Sequence, residues 1–106
     1  MTDLTIRSQS IAGTTESSDV QIIIDQNPGG GIEIELTSSS QKQYGRRIRE
    51  VIEETLSNLG INEAKLVVDD SGALDCTIKA RTIAAVHRAA GVTKDYNWEE
   101  IEEWNV

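Results

Sequence analysis

The spacing of apolar residues changes character near Gln41, and that change limits the possible folds more than any other feature of the chain. Before it, Val20, Ile22 and Ile24 recur at every second residue within Val20 to Gln26, and Ile32, Ile34 and Leu36 alternate with Glu33, Glu35 and Thr37. A period of two belongs to strands that bury one face. Asn27-Pro28-Gly29-Gly30-Gly31 lies between the two runs and is a turn signal, because proline presets φ and glycine admits positive φ. The pattern predicts a β-hairpin with one buried and one wet face. From Gln41 the period is helical: Tyr44, Ile48, Val51, Ile52, Thr55, Leu56 and Leu59 share one stripe. Ser38 to Ser40 offer hydroxyls to the helix's unpaired first N–H groups, and Gly60 is placed to end it.

Ala64, Leu66 and Val68 return to a period of two, predicting a third strand that stops at Asp69-Asp70-Ser71-Gly72. The next stretch fits two patterns. Leu74, Cys76, Ile78 and Ala80 alternate as a strand would, whereas Leu74, Ile78, Ala85, Val86 and Ala89 form a helical stripe closing at Gly91. The alanines and arginines after Lys79 favour the helix, and we read one from about Leu74 to Ala90. Asn97 is placed to cap a short helical turn carrying Trp98 and Ile101, and the first ten residues are expected to be loosely held. No repeat, linker or second domain is visible, so residues 1–106 read as one domain. The expected fold class is an α+β sandwich, with helices packed on one face of a mainly antiparallel sheet. That architecture by itself specifies no function.

A chain of 106 residues, 38% of them hydrophobic, supports one core, built here without any phenylalanine. No apolar run approaches the ~18 residues of a membrane span, and the start lacks the apolar stretch of a secretory signal. The single Cys76 has no internal disulfide partner, which suits a reducing compartment; a cytoplasmic location without membrane contact is expected. Eighteen acidic residues against ten basic ones leave a net charge of −8. Such a surface repels nucleic acid phosphates and suits protein partners with basic docking patches. The densest acidic stretch is Lys94 to Val106, where Asp95, Glu99, Glu100, Glu102 and Glu103 face Lys94 alone. Those acids are expected to help recruit such protein partners.

Most catalytic constellations are missing. His87 is the only histidine and has no neighbouring acid or nucleophile in the sequence, so it reads as an ordinary helix residue. Cys76 reads as a small buried apolar side chain. Gly29-Gly30-Gly31 reads as part of a turn, and acid pairs such as Glu53-Glu54 as solvated surface. An autonomous enzyme is therefore disfavoured. One charge pattern is unusual: Lys42, Arg46, Arg47 and Arg49 precede Glu50, Glu53 and Glu54 on the long helix. The helix dipole prefers the reverse order by roughly 0.3–1 kcal/mol per well-placed charge, and pairs Arg46–Glu50 and Arg49–Glu53 would recover only part of it. Arginines at a helix N-terminus suit phosphate groups, which makes Arg46 and Arg47 candidate phosphate contacts. The alternative is a solvated face.

The segment Ala12-Gly13-Thr14-Thr15-Glu16-Ser17-Ser18-Asp19-Val20 resembles the signature of the citrate lyase acyl carrier protein (gamma subunit) family. The resemblance continues at Lys42-Gln43-Tyr44-Gly45, at Val68-Asp69-Asp70-Ser71-Gly72-Ala73-Leu74-Asp75-Cys76 and at Ala80-Arg81, in family order. The acyl carrier subunit of malonate decarboxylase is a more distant likeness. The resemblance implies a carrier without catalysis of its own, bearing 2′-(5″-phosphoribosyl)-3′-dephospho-coenzyme A through a phosphodiester on a serine. Carried onto this chain that serine is Ser17. The implied partners are the alpha subunit, which exchanges acetyl for citryl, the beta subunit, which cleaves the citryl thioester, and a prosthetic-group transferase. Ser18 stands where the family often has glycine, so two hydroxyls adjoin; Glu16 before and Asp19 after favour Ser17 by register. Beside this reading stand a malonate decarboxylase-like carrier and an unmodified acidic interaction module.

Overall fold

The computed structural model describes residues 6–38 and 41–91, the side chains of Gln41, Lys42 and Gln43 excepted. Ser39 and Ser40, the acidic segment from Lys94 onward and the expected turn at Asn97 to Ile101 lie outside the described residues. The chain runs β1 (Ser10–Ala12), β2 (Val20–Asp25), β3 (Ile32–Ser38), α1 (Gln41–Asn58), β4 (Ala64–Asp70) and α2 (Asp75–Ala89). It is an α+β fold with a mixed sheet in the order β1-β2-β4-β3.

The helical stripe and the alternating strands meet as their periods require. Ile48, Val51, Ile52 and Leu56 of α1 and Ile78, Ile83, Val86 and Ala89 of α2 are buried against Val20, Ile22, Ile24, Leu66 and Val68 of the sheet. Each fully buried isoleucine or leucine contributes roughly 1.5–3 kcal/mol. Two hydroxyls inside this layer stay satisfied: Thr55 Oγ1 donates to Val51 O at 2.7 Å and Thr82 Oγ1 to Ile78 O at 2.8 Å. Helix α1 ends where Gly60 adopts a φ of 76°. There the Ile61 N–H reaches Leu56 O at 2.9 Å and the Gly60 N–H reaches Ser57 O at 3.0 Å, the paired bonds of a Schellman motif.

The expected hairpin does not form. β2 and β3 are separated by β4, which pairs antiparallel with β2 and parallel with β3. Alternation reports which face a strand buries, not which strand lies beside it. β4 buries Ala64, Leu66, Val68 and Asp70 almost completely and takes the centre, while Ile32 and Ile34 of β3 are only half-buried at the edge. The residues from Gln26 to Gly31 must therefore span two strand spacings, about 10 Å. Their turn closes on itself through Gly30 N–H to Asn27 O at 3.0 Å.

Three other expectations change. Ser38, expected at a helix cap, is the last residue of β3, and its hydroxyl donates to Asp70 Oδ2 at 2.8 Å. Within the first ten residues, Ile6 enters the core, the N–H groups of Arg7 and Ser8 bond Ala89 O, and Ser10 opens β1. Cys76 and Leu74 are exposed rather than buried. The helical assignment over Asp75–Ala89 explains this, since Leu74 precedes the helix and Cys76 lies two residues from the buried Ile78, on the far side.

The register gathers one end of the sheet. Val20 at the start of β2 and Ser38 at the end of β3 both pair with Asp70 at the end of β4. The segment before β2, the loop after β4 and the starts of both helices therefore converge there.

Candidate functional site

Ser17 sits at that end, in the loop that joins β1 to β2. The Asp19 N–H donates to Glu16 O at 3.1 Å, closing a β-turn over Glu16-Ser17-Ser18-Asp19. Ser17 takes the first corner and Ser18 the second, with Ser18 at a φ of 65°. Positive φ at the second corner alone marks a type II turn, whose second corner favours glycine. The sequence contrast at Ser18 thus has a backbone meaning: this chain puts a serine in a left-handed position. The Ser18 N–H points inward and donates to Ser71 O at 2.7 Å, and the Ser71 N–H returns a bond to Asp19 O at 2.9 Å. Ser17 is exposed, and its hydroxyl has no hydrogen-bond partner among the described residues.

Asp19 ties the loop together. Its carboxylate accepts from Thr14 N–H at 3.1 Å, from Thr14 Oγ1 at 2.7 Å and from its neighbour Val20 N–H at 2.7 Å. Arg81, reaching from α2, adds a fork: Nε to Oδ1 at 3.1 Å and Nη2 to Oδ2 at 3.0 Å. Only 14% of the Asp19 side chain is exposed. The Arg81 guanidinium, followed by the Thr14 hydroxyl, holds the Asp19 carboxyl well below the usual carboxylate range. Gly13 permits this closeness. Its φ is 82°, and a Cβ there would collide with Val20 O and meet the Arg81 stem at 3.1 Å.

Beside the turn lies an open groove of about 570 Å³, lined by Tyr44, Arg47, Asp70, Gly72, Leu74 and Cys76 among others. Its floor is built by Asp70, whose buried carboxylate accepts from Gly72 N–H at 3.3 Å and Ala73 N–H at 2.9 Å. Arg47 enters the groove rim, where its Nε and Nη2 both reach Asp75 Oδ2, at 3.0 and 2.9 Å. That contact raises the Arg47 pKa above its ordinary value. Arg46 does not join it; it lines a separate hollow with Gly45, Arg49, Glu50 and Glu53. Arg49, expected against Glu53, donates instead to Ile34 O at 2.8 Å. The two arginines singled out from sequence therefore face different surroundings. Asp19 and Arg81 appeared only inside the motif blocks, and their contact joins residues too far apart in the chain for spacing to reveal it.

His87 Nδ1 lies 2.9 Å from Ile83 O within its own helix, away from the turn. No cluster of metal-ligating side chains occurs among the described residues, and no described helix is long and apolar enough to cross a membrane. The geometry offers an exposed primary alcohol on a braced turn.

The chain is similar to known proteins. The chain is 57% identical to a citrate lyase acyl carrier protein of Streptococcus equi subsp. zooepidemicus, over 94% of this chain and 97% of the relative. The citrate lyase acyl carrier protein of Streptococcus uberis is 59% identical over 95% of this chain and 98% of its own length. The chain belongs to the citrate lyase acyl carrier protein family. The family model described as malonate decarboxylase delta subunit (MdcD) also matches this carrier over residues 7–89. One chain in the crystal structure of a Pseudomonas malonate decarboxylase hetero-tetramer in complex with malonate has the same fold, with a TM-score of 0.70 and 15% identity. That likeness covers 79% of this carrier and 86% of the other chain. As a member of an acyl carrier family, the protein is a non-catalytic carrier subunit.

Proposed function

We propose that this carrier serves a citrate lyase and bears 2′-(5″-phosphoribosyl)-3′-dephospho-coenzyme A on Ser17. The observation that carries the reading is the placement of an unengaged Ser17 hydroxyl at the exposed first corner of a braced turn. Ser18 is less suited, because its backbone is held in the left-handed region and bonded inward to Ser71. A phosphodiester needs an accessible alcohol: one Oγ–P bond forms, the hydroxyl proton is lost, and the donor's leaving group departs from phosphorus. When bound, the group supplies a thiol on a long arm, where acetyl and citryl thioesters are carried between the alpha and beta subunits. The chain's own task is to keep the attachment point exposed and to hold the arm's origin still. A tethered acyl group then reaches partner active sites at high effective concentration. Arg47 on the groove rim and Arg46 on the adjoining face are the candidate phosphate contacts.

Coexpression with the maturation enzymes should add one such group, and fragmentation should place it on Ser17. Ser17→Ala should abolish the adduct while changing stability by less than about 0.5 kcal/mol, because an exposed hydroxyl supports little packing. Amide shifts at the start of α1 should move on modification if the arginines contact the arm. No adduct on either serine with competent enzymes present would refute the carrier chemistry.

A second reading, a carrier for a malonate decarboxylase-type complex, is favoured by the match to the delta-subunit family model and by the shared fold. Pull-down against purified alpha and beta lyase subunits, with malonate decarboxylase subunits in parallel, separates the two.

A further inference from the structure

We propose that Arg81, acting through Asp19, decides which of the two neighbouring serine hydroxyls is presented for modification. The inference rests on the reading of Ser17 as the attachment residue. Glu16 and Asp19 bound a turn whose two corners carry the same functional group, so nothing in the chemistry of the hydroxyls distinguishes them. What distinguishes them is the turn's register, and that register is imposed from outside the loop. Asp19 reaches back five residues to both donors of Thr14, and the same Thr14 hydroxyl receives the Glu16 N–H at 3.2 Å. The segment from Thr14 to Asp19 is thereby a closed ring with Ser17 at its outer corner.

The ring depends on the orientation of one carboxylate; the Val20 N–H holds Oδ1 at 2.7 Å from within the chain, and Arg81 completes that orientation from outside the loop by engaging both oxygens at 3.1 and 3.0 Å. A planar guanidinium can do this and an ammonium cannot, because a point charge imposes no plane on its partner. Arg81 is itself carried by α2, whose buried face is anchored under the sheet. The helix therefore acts as the fixed reference for the loop. On the other side Ser71 holds the ring through its N–H to Asp19 O at 2.9 Å and its Oγ to Thr15 O at 3.2 Å. Those bonds tether the loop to β4 but leave the carboxylate free to turn. Both serines are exposed in the braced turn, so what the fork selects is the corner each occupies; without it the hold on Thr14 loosens and loop conformers that free Ser18 from its left-handed, inward-bonded corner become accessible. Arg81 is thus a positioning residue: it touches neither the reacting hydroxyl nor the group transferred to it.

Loading of the full-length apo carrier by the purified prosthetic-group transferase tests this, read as site occupancy by fragmentation and as separate KM and kcat. If the presented conformer falls to about a tenth of the population, the apparent affinity falls about ten-fold. Arg81→Gln should therefore raise KM about ten-fold with little change in kcat, and should divide the adduct between Ser17 and Ser18. Arg81→Lys, which keeps the charge and the fold, should still show divided occupancy. The pair Arg81→Gln with Asp19→Asn should be no worse than the more severe single variant, because both remove one shared constraint. Hydrogen exchange should quicken at Ser18 and Asp19 while α2 amides keep their protection. Exclusive loading of Ser17 at wild-type KM by Arg81→Lys would overturn the proposal, even if Arg81→Gln failed to fold. Exchange that quickens equally along α2 would also overturn it, reducing Arg81 to a general stabiliser. Wild-type carrier that gains no adduct would instead refute the attachment reading itself.

Discussion

Among the described residues, two aspartate–arginine pairs occur at the same end of this carrier, and they show how little a contact distance alone conveys. Arg81 meets Asp19 at 3.0 Å and Arg47 meets Asp75 at 2.9 Å. The first aspartate is 14% exposed and shares its oxygens with two backbone N–H groups and a hydroxyl. The second is 53% exposed, and its arginine is 55% exposed and touches Glu50 as well, at 3.7 Å. Water screens the Arg47 pair and replaces it easily; at Asp19 the protein has already taken over most of the solvation. The first pair is part of the fold, and the second is a surface arrangement on the rim of a groove.

The largest expected difference follows from removing the charge in the sheltered pair. Asp19→Asn should lower the free energy of urea unfolding at pH 7 by about 2 kcal/mol, since charged hydrogen bonds are lost and Arg81 is left facing an amide. The effect carries a pH signature. The folded pKa of Asp19 is depressed, so its contribution is complete above the unfolded value of about 4 and is lost as pH falls below it toward the folded value. The gap between wild type and Asp19→Asn should stay constant from about pH 7 to 5 and shrink below about pH 4. A gap that shrank between pH 7 and 5 would show that Asp19 is not held as described.

A smaller effect is expected inside the turn. Ser18→Gly relieves the left-handed strain, worth roughly 1–2 kcal/mol, against a glycine entropy cost of roughly 0.5–1 kcal/mol. The net should be a stabilisation of about 0.5 kcal/mol, visible as a higher urea midpoint with an unchanged slope. A loss of stability would mean that the Ser18 side chain holds the turn rather than straining it. Smallest of all is the exposed pair: Asp75→Asn should leave the urea midpoint unchanged within error, both in low salt and at high ionic strength. A measurable, salt-resistant loss there would make the two pairs equivalent.

Much of the site was legible because the signals were local. The small and polar run around Ser17 marks an exposed loop, and the left-handed position of Ser18 is one that glycine would fill without strain. The expectation of a buried Cys76 rests on the small apolar character of the thiol alone; the residue falls outside the stripe of Ile78, Ala85, Val86 and Ala89, and α2 turns it outward. Arg46 and Arg47 adjoin in sequence, yet successive helical residues point about 100° apart, and only Arg47 reaches the groove.

The sequence by itself determined the periods of β2, β3, α1 and β4, most of the residues those elements bury, and a serine placed between two acids in an accessible loop. These follow from the spacing of side chains along one element, which the chain carries whatever its neighbours. Only the tertiary structure decided that β4 separates β2 from β3, that the loops before β2 and after β4 meet, and that Arg81 grips Asp19. Those outcomes depend on which buried faces compete for the centre of the sheet, and so bring together residues that no local period relates. The turn bearing Ser17 is written in nine consecutive residues, Ala12 to Val20, but the brace that gives it one register arrives from a helix 62 residues further on.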